Sequence, residues 1–388
     1  MEIFGFPFAL IEIILLGLML LAFSHQLYFY IRYMNGVLRL TKKERNGNVS
    51  FSREQPPVSI IICAKDEADN LRQFLPQVLE QEYPTVEVIV VNDSSTDETT
   101  DLLKEFCEKY PNLRTTFVPV GANNLSTKKL GITLGVKASK YEWLLFTDAD
   151  CVPNDKKWIA KMARNFTHGT EFVLGYGAYF EKKGFVNKLV NFDTLFIGLQ
   201  YLGMAYSSSP YMGVGRNMAY RKQTFLDQKG FASTLHLKSG DDDLMVNKAA
   251  TAENTRVEVA QESITLSHPH QTLKGWYYQK ERHLSVSSFY SASSKFRLAL
   301  EPLSRGFFYL SLIGLLVFGG LITLVSAAVL FLARFVMQLI IINRSAKHFG
   351  SKRFVSTLLL FDILLPLISA YILTFGRATS KGHSIKWK

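Results

Sequence analysis

An almost unbroken apolar stretch from residue 6 to residue 31, interrupted by Glu12, Ser24, His25 and Gln26, constrains this chain more than any other feature. At about 1.5 Å per helical residue it is long enough to cross a hydrocarbon core of roughly 30 Å. A removable leader needs a basic start and a small-residue cleavage site; the chain begins Met1-Glu2 and has neither. Arg32, Arg39, Lys42, Lys43 and Arg45 follow closely, which predicts that the next segment stays in the cytoplasm. Near the other end, residues 307–342 are apolar apart from Arg334, Gln338 and a few hydroxyl side chains, and 354–375 form another apolar run. The first of these is too long for one untilted span. It is expected to be a hairpin turning at Gly319-Gly320, or one span plus an interfacial helix. Arg344, Lys347, Lys352 and Arg353 precede the last run, and Arg377, Lys381, Lys386 and Lys388 follow it. No number of spans places every basic cluster inside, and the reading leaves three and four spans open.

Hydrophobic residues make up 48% of the chain, concentrated at the two ends, so the middle reads as an ordinary soluble domain. The formal net charge of +11 suits a negatively charged partner surface. No basic-aromatic recognition module appears, which argues against nucleic acid and leaves membrane lipid headgroups as the partner. Cys63, Cys107 and Cys151 are odd in number, widely spaced and without a CxxC pair, so neither a disulfide framework nor a zinc knuckle is expected.

Within the middle region, residues 58–63 are a short β-branched run of the kind found in buried parallel strands. Helical patterning at 70–81, a strand at 86–91, a helix at 96–109, a strand at 113–118, a helix at 129–137 and a strand at 143–147 follow. Such alternation predicts an α/β fold with an open, mostly parallel sheet and flanking helices. Sheets of this kind bind ligands at the carboxyl ends of their strands. Asp66-Glu67, Asn92-Asp93 and Asp148-Ala149-Asp150 each follow one of these strands, which is more acid than turns require.

Two carboxylates one residue apart, Asp148 and Asp150, suit a hard divalent cation, Mg²⁺ or Mn²⁺, bridged to a diphosphate. The plain alternative is an acidic turn before a helix capped by Asn154. Asp93 suits a base or ribose, while Thr96, Asp97 and Glu98 look like a helix start. In Gly240-Asp241-Asp242-Asp243, mutual repulsion raises at least one pKa, as a general base requires; a helix N-terminus attracting negative charge is the competing explanation. Gln279 and Arg282 share a helix face in a segment rich in Trp and Tyr, expected to lie at the membrane interface and to help catalysis. Lys128 suits a phosphate as a point charge. Gly215-Arg216-Asn217 is expected near donor or acceptor without an assigned role.

In this order the motifs resemble membrane glycosyltransferases of family 2, with the GT-A fold. VSIIICAKDE resembles the opening strand and VNDSSTDET the nucleotide-contacting loop. Lys128 stands at the family's Gly-Lys lysine, and FTDADCVP at its DxD. SGDDDL stands at the acidic-Asp motif, and QKERH at Gln-x-x-Arg-Trp. The resemblance covers about 58–290. It implies that Ala64, Asp66, Glu67, Asp93, Lys128 and Asp148 contact a UDP- or GDP-linked sugar, with Asp93 on the base. It implies that Asp150, with Asp148, holds the metal and that Asp242, beside Asp241, is the catalytic base. It implies that Gln279, Arg282 and His283 line the acceptor and pyrophosphate side. Lys65 stands where some members place a base-stacking aromatic. His283 replaces the Trp of synthases that extend long polymers, which favours transfer of one or a few sugars to a lipid or lipid-linked glycan acceptor. The expected organisation is a membrane helix at 6–31, a cytoplasmic catalytic domain at 50–270, an interfacial segment at 271–305 and a membrane region at 306–376, in a bacterial inner membrane. The rivals are a processive synthase that translocates its product, a multi-span transporter and a non-catalytic nucleotide-sugar-binding protein. A nucleotidyltransferase would carry a Gly-x-Gly-x-x-Arg loop that is missing here.

Overall fold

The computed structural model describes residues 2–3, 6–7, 9–119, 126–237 and 239–379. Lys381, Lys386 and Lys388 lie outside them, as does the side chain of Arg377. The first apolar run forms α1 (Leu10–Phe29), in which Glu12 accepts a hydrogen bond from the N–H of Ala9. The helix continues as one π-helical stretch, Tyr30–Met34, and is followed by the basic helix α2 (Gly36–Arg45). Residues 6–7 pair with 2–3 as short strands, so the helix starts later than the apolar run does.

Every strand and helix expected in the middle region is present, with ends shifted by up to three residues. β1 (Val58–Ala64), α3 (Ala68–Leu79), β2 (Val86–Asn92), α4 (Thr99–Lys109), β3 (Leu113–Phe117), α5 (Thr127–Ala138) and β4 (Trp143–Phe146) alternate along the chain. They are joined by β5 (Cys151–Pro153), α6 (Trp158–Ala163), β6 (Phe172–Leu174) and β7 (Gly177–Tyr179). Next come α7 (Phe185–Tyr206), β8 (Met218–Arg221), α8 (Lys222–Asp227), α9 (Asp243–Ala249), β9 (Thr255–Val257) and β10 (Thr265–Ser267). The main sheet has the order β9-β6-β8-β4-β1-β2-β3, with β8 alone running against its neighbours. A smaller sheet, β5-β10-β7, stands beside it.

Because successive strand residues point to opposite faces, β1 feeds two cores. Val58, Ile60 and Ile62 pack toward α3, α4 and α6, whereas Ile61 and Cys63 join the core beneath α5. Burial on both faces explains the continuous apolar run in the sequence. Two expected helix starts move. The helix expected from residue 96 begins at Thr99, because the Asp97 carboxylate accepts from the N–H groups of Thr99 and Ala68 and holds the preceding loop out of the helix. Asn154 caps no helix: pairing of β5 with β10 draws it into the small sheet, where its N–H bonds Ile264, and α6 begins at Trp158.

Beyond the domain lie α10 (Leu273–Val286), α11 (Ala292–Phe318), α12 (Leu321–His348) and α13 (Leu358–Thr379). The chain turns at Gly319-Gly320, as the hairpin reading expected, and α11 runs unbroken through residues 305 and 306. Four helical stretches are long and apolar enough to cross a membrane: Leu10–Met34, Ala292–Phe318, Leu321–His348 and Leu358–Gly376. The first is joined tightly to the domain. A Cβ on Gly203 of α7 would sit 1.8 Å from the Tyr33 carbonyl oxygen, and one on Gly36 would sit 2.6 Å from the Gly203 Cα. Only glycine lets these backbones meet.

Candidate active site

The strand order puts the ends of β2, β1 and β4 side by side, so the three acidic loops share one sheet edge as expected. Each does something different there. The Asp66 carboxylate, at the end of β1, accepts from the N–H and hydroxyl of Thr96 at 2.7 and 3.2 Å. Ser95 accepts from the Asp66 N–H, so Asp66 stitches two loops together. Asp66 has φ +52°, a left-handed conformation that Asp tolerates better than most residues. Glu67 accepts from the Asn70 side chain. The Ala64 carbonyl receives the Asp93 N–H at 2.8 Å and so sets the Asp93 backbone. The Asp93 side chain is buried, its Oδ2 has no hydrogen-bond partner, and Lys65 Nζ lies 3.6 Å away. A buried carboxylate oxygen in that state is costly unless a ligand donates to it.

At the end of β4, Asp148 Oδ1 lies 3.0 Å from Lys128 Nζ, at the start of α5, and the same ammonium lies 3.5 Å from Asp241 Oδ2. Lys128 thereby gathers residues from two distant parts of the sequence. Burial works against ionisation of Asp148, but Lys128 outweighs it and holds the carboxyl below its ordinary value; Arg216 and Arg282 add to this. At Asp150, burial and the Asp148 charge push the carboxyl up. Ligand atoms of Asp148, Asp150 and Cys151 all lie within 4.8 Å of one another. An acid pair that resists its own double ionisation, with oxygen ligands converging, fits a hard divalent cation. Cys151 Sγ lies 3.4 Å from Asp150 Oδ1, and burial raises its thiol, so it enters this cluster as a neutral group.

The acidic triplet opens α9. Asp241 faces Lys128, and Asp243 accepts from Tyr290 OH at 2.7 Å. Asp242 is the least buried of the three; it accepts from the Gly215 N–H at 2.7 Å and the Asp243 N–H at 2.9 Å. Burial, then the Asp241 charge, push the Asp242 carboxyl above its ordinary value against the pull of Lys128. The same causes, with Asp242 as the neighbour, raise Asp243. Lys128, Thr147, Asp148, Gly215, Asp241 and Asp242 line one cleft.

On α10, Gln279 donates to Tyr179 OH at 2.9 Å, which anchors the helix to β7. Arg282 lies beside His283, 3.5 Å between Nη2 and Nε2. Desolvation, then the charges of Arg282 and Arg216, lower the His283 imidazole from its ordinary value, although its side chain is exposed. The opposite side of α10 is fixed to α7, where Asp193 accepts from Trp276 Nε1 at 3.1 Å and pairs with Lys280 at 2.7 Å.

Two site neighbours had no role from sequence. Arg216 lies 4.4 Å above the Tyr179 ring, donates to the Gly177 carbonyl at 2.7 Å, and acts on Asp148 and Asp150. The Gly-Arg-Asn triplet was visible, but only the fold shows that Asn217 is a buried strut, bonded by Trp158 and bonding Tyr176 and Ser263, while Arg216 faces the acids. His270 is the other. Burial lowers its imidazole and Asp150 opposes that, which places it within electrostatic reach of the DxD pair.

Residues 59–228 match the model of glycosyl transferase family 2. Among curated relatives, poly-beta-1,6-N-acetyl-D-glucosamine synthase of Staphylococcus epidermidis is 32% identical over 98 residues, 25% of this chain and 23% of the relative. The probable glycosyltransferase YdaM of Bacillus subtilis is 34% identical over 103 residues, 26% of this chain and 24% of the relative. The alignments thus span about a quarter of these relatives' length. Among solved structures, the mannosyltransferase PcManGT from Pyrobaculum calidifontis, in complex with GDP-Man and Mn²⁺, superposes with a TM-score of 0.57 at 16% identity, over 96% of this chain and 99% of that one. That likeness is one of fold. The sheet order and the family match agree that residues 59–228 resemble a glycosyl transferase family 2 domain.

Proposed function

We propose that the protein moves a sugar from a UDP- or GDP-linked donor to a lipid or lipid-linked glycan acceptor at the cytoplasmic face of the membrane, by one inverting displacement. The observation that carries this is the division of labour in the acidic triplet. Asp241 and Asp243 are engaged by Lys128 and Tyr290, while Asp242 is oriented by backbone N–H groups and more open to the cleft. Asp242 takes the proton of the acceptor hydroxyl as its oxygen bonds to the anomeric carbon. The bond from that carbon to the diphosphate oxygen breaks, and the nucleoside diphosphate leaves. The raised Asp242 pKa makes it a stronger base than a free aspartate.

Asp150 and Asp148 are the residues that would hold Mg²⁺ or Mn²⁺, which when bound neutralises the charge growing on the diphosphate. Lys128, Arg216 and Arg282 supply fixed positive charge on the same side. Asp93, whose buried Oδ2 accepts no hydrogen bond, receives the nucleoside, while Asp66 and Glu67 keep its loops in place. Gln279, Arg282 and His283 line the acceptor and pyrophosphate side, and α7 with the Trp276 segment guides a membrane-embedded acceptor toward Asp242. The interior between α1, α11 and α12 is filled by Gln26, Arg305 and Arg334, which supports transfer without passage of a polymer through that bundle.

The test is turnover in detergent with a panel of sugar nucleotides and Mn²⁺, Mg²⁺ or chelator, on the wild type and Asp150→Ala. Metal-dependent release of a nucleoside diphosphate from one donor, abolished by the substitution, is the expected result. No turnover and no metal-dependent binding with any donor would overturn the reading.

A further inference from the structure

By length and composition α13 is a fourth membrane span, but its contacts place both of its ends on the domain side. The reference frame is the other three membrane-length helices. Glu12, near the start of α1, accepts from the N–H of Gly320 at the α11–α12 turn, so these two points share one end of the bundle. At the other end of α1, Gln26 donates to the Glu301 carbonyl and Ser304 on α11, and Tyr30 OH receives Gln338 of α12. The lower ends of α1, α11 and α12 run into the catalytic domain, through Tyr33 at Gly203, Ser291 at Asn247 and His348 at Val259.

The chain enters α13 from this domain end. Phe354 packs on Phe192 of α7 with ring centroids 5.1 Å apart, and Phe361 lies 5.1 Å from Phe192 and 5.7 Å from Phe185. A crossing helix would then climb toward the Gly319-Gly320 turn. Instead, the far end of α13 meets α10: a Cβ on Gly376 would lie 2.8 Å from Glu281 Oε1, and Ile372 is buried. α10 itself belongs to the domain through Gln279–Tyr179 and Trp276–Asp193. A helix rising about 27 Å from Leu358 to Gly376 cannot reach the opposite membrane face when both ends touch the catalytic domain.

We propose that α13 lies submerged in the domain-side leaflet, along the membrane plane, with its outer face against lipid acyl chains, and that α1, α11 and α12 alone cross. Leu360, Leu367, Tyr371, Leu373 and Phe375 form that outer face, each about half exposed or more. Acyl chains are the occupant because this face continues the exposed apolar belt of α11 and α12, and helices of this kind bury one side in the acyl boundary. The charge pattern agrees. With three crossings, the basic groups after α1 and those between α12 and α13 fall on the domain side, where the positive-inside tendency wants them.

Nitroxide labels at Leu360→Cys, Leu367→Cys and Phe375→Cys, in the full chain in lipid nanodiscs, test this through depth measured by oxygen and aqueous-relaxant accessibility. The unmodified chain serves as the labelling background. The three labels are expected at similar depth. A spanning helix would separate the first and last by about 22 Å along the membrane normal, and such a gradient overturns the proposal. An epitope after Lys388 gives a second reading in sealed vesicles. Accessibility from the same side as the catalytic domain supports the proposal; accessibility from the side of the Gly319-Gly320 turn overturns it. Neither readout depends on sugar transfer, so each stands or falls apart from the proposed function.

Discussion

Two clusters of buried charge, one in the helix bundle and one in the catalytic cleft, are built to opposite rules. In the helix bundle, Arg334 makes a bidentate pair with Asp362 at 2.7 and 3.2 Å, and Arg305 lies 3.3 Å from the same carboxylate. Arg305 also pairs with Glu301, while Tyr309 OH and Gln338 complete the Asp362 oxygens at 2.6 and 2.9 Å. Two cations face two anions, and of the Arg334 nitrogens only Nε lacks a partner. In the catalytic cleft, Asp148, Asp150, Asp241, Asp242 and Asp243 outnumber Lys128, Arg216 and Arg282. Balanced charge under cover ties helices together, whereas unbalanced charge waits for something from outside. The comparison therefore separates residues whose loss should damage the fold from residues whose loss should damage the chemistry.

The largest expected effect is on chemistry. Asp242→Asn should lower turnover by about 10²–10⁴-fold, the usual contribution of a general base, with donor binding and melting temperature kept. Turnover close to wild type in that variant would break the assignment. In the bundle the readouts should reverse. Arg334→Met leaves the Asp362 carboxylate short of its cation and should cost about 3–5 kcal/mol of stability, with activity per folded molecule retained. Replacing both partners, as Arg334→Met with Asp362→Leu, should restore much of that loss in a thermal melt. If the double variant is no better than the single, the pair is not the unit described here. Tyr290→Phe sits between the two classes: it removes a donor from the buried Asp243 and should cost about 1–3 kcal/mol in the same melt.

The smallest effect is the most specific. A base with a raised pKa stays protonated over a wider acid range, so kcat/KM should fall as pH drops through a value above that of free aspartate. Asp241 is one cause of the raised value, so Asp241→Asn should move this acid limb to lower pH. A limb that stays in place, or moves to higher pH, would detach it from Asp242.

How much of this was legible in the sequence follows from range. The strands β1, β2 and β4 were readable because burial on both faces leaves a continuous β-branched run, a local signal. Asp148 and Asp150 were readable as a pair because they are one residue apart. Lys128 bridging Asp148 and Asp241 was not, since a chain separation of 113 residues between Lys128 and Asp241 closes only when β4 and α9 meet. The acidic loops read alike, yet Asp66 is a stitch and Asp93 a buried group whose Oδ2 accepts no hydrogen bond, a difference made entirely by neighbours. The number of crossings was undecidable for a related reason. Hydropathy reports what a segment tolerates, and only the contact of Gly376 with Glu281 reports where it ends.

The backbone contact of Gly203 with Tyr33 has a consequence for how such a protein can be divided. A membrane leash can be exchanged for any other greasy helix, but this one cannot: its last turn is a facing surface for α7, fitted to a glycine on each side. Cutting before residue 50 would strip α7 of a neighbour along Tyr30–Val37 and leave a bare, sticky flank. Grafting a stock anchor should fail for the same reason wherever it brings a side chain to position 36. The first helix is in effect a structural member of the domain it anchors.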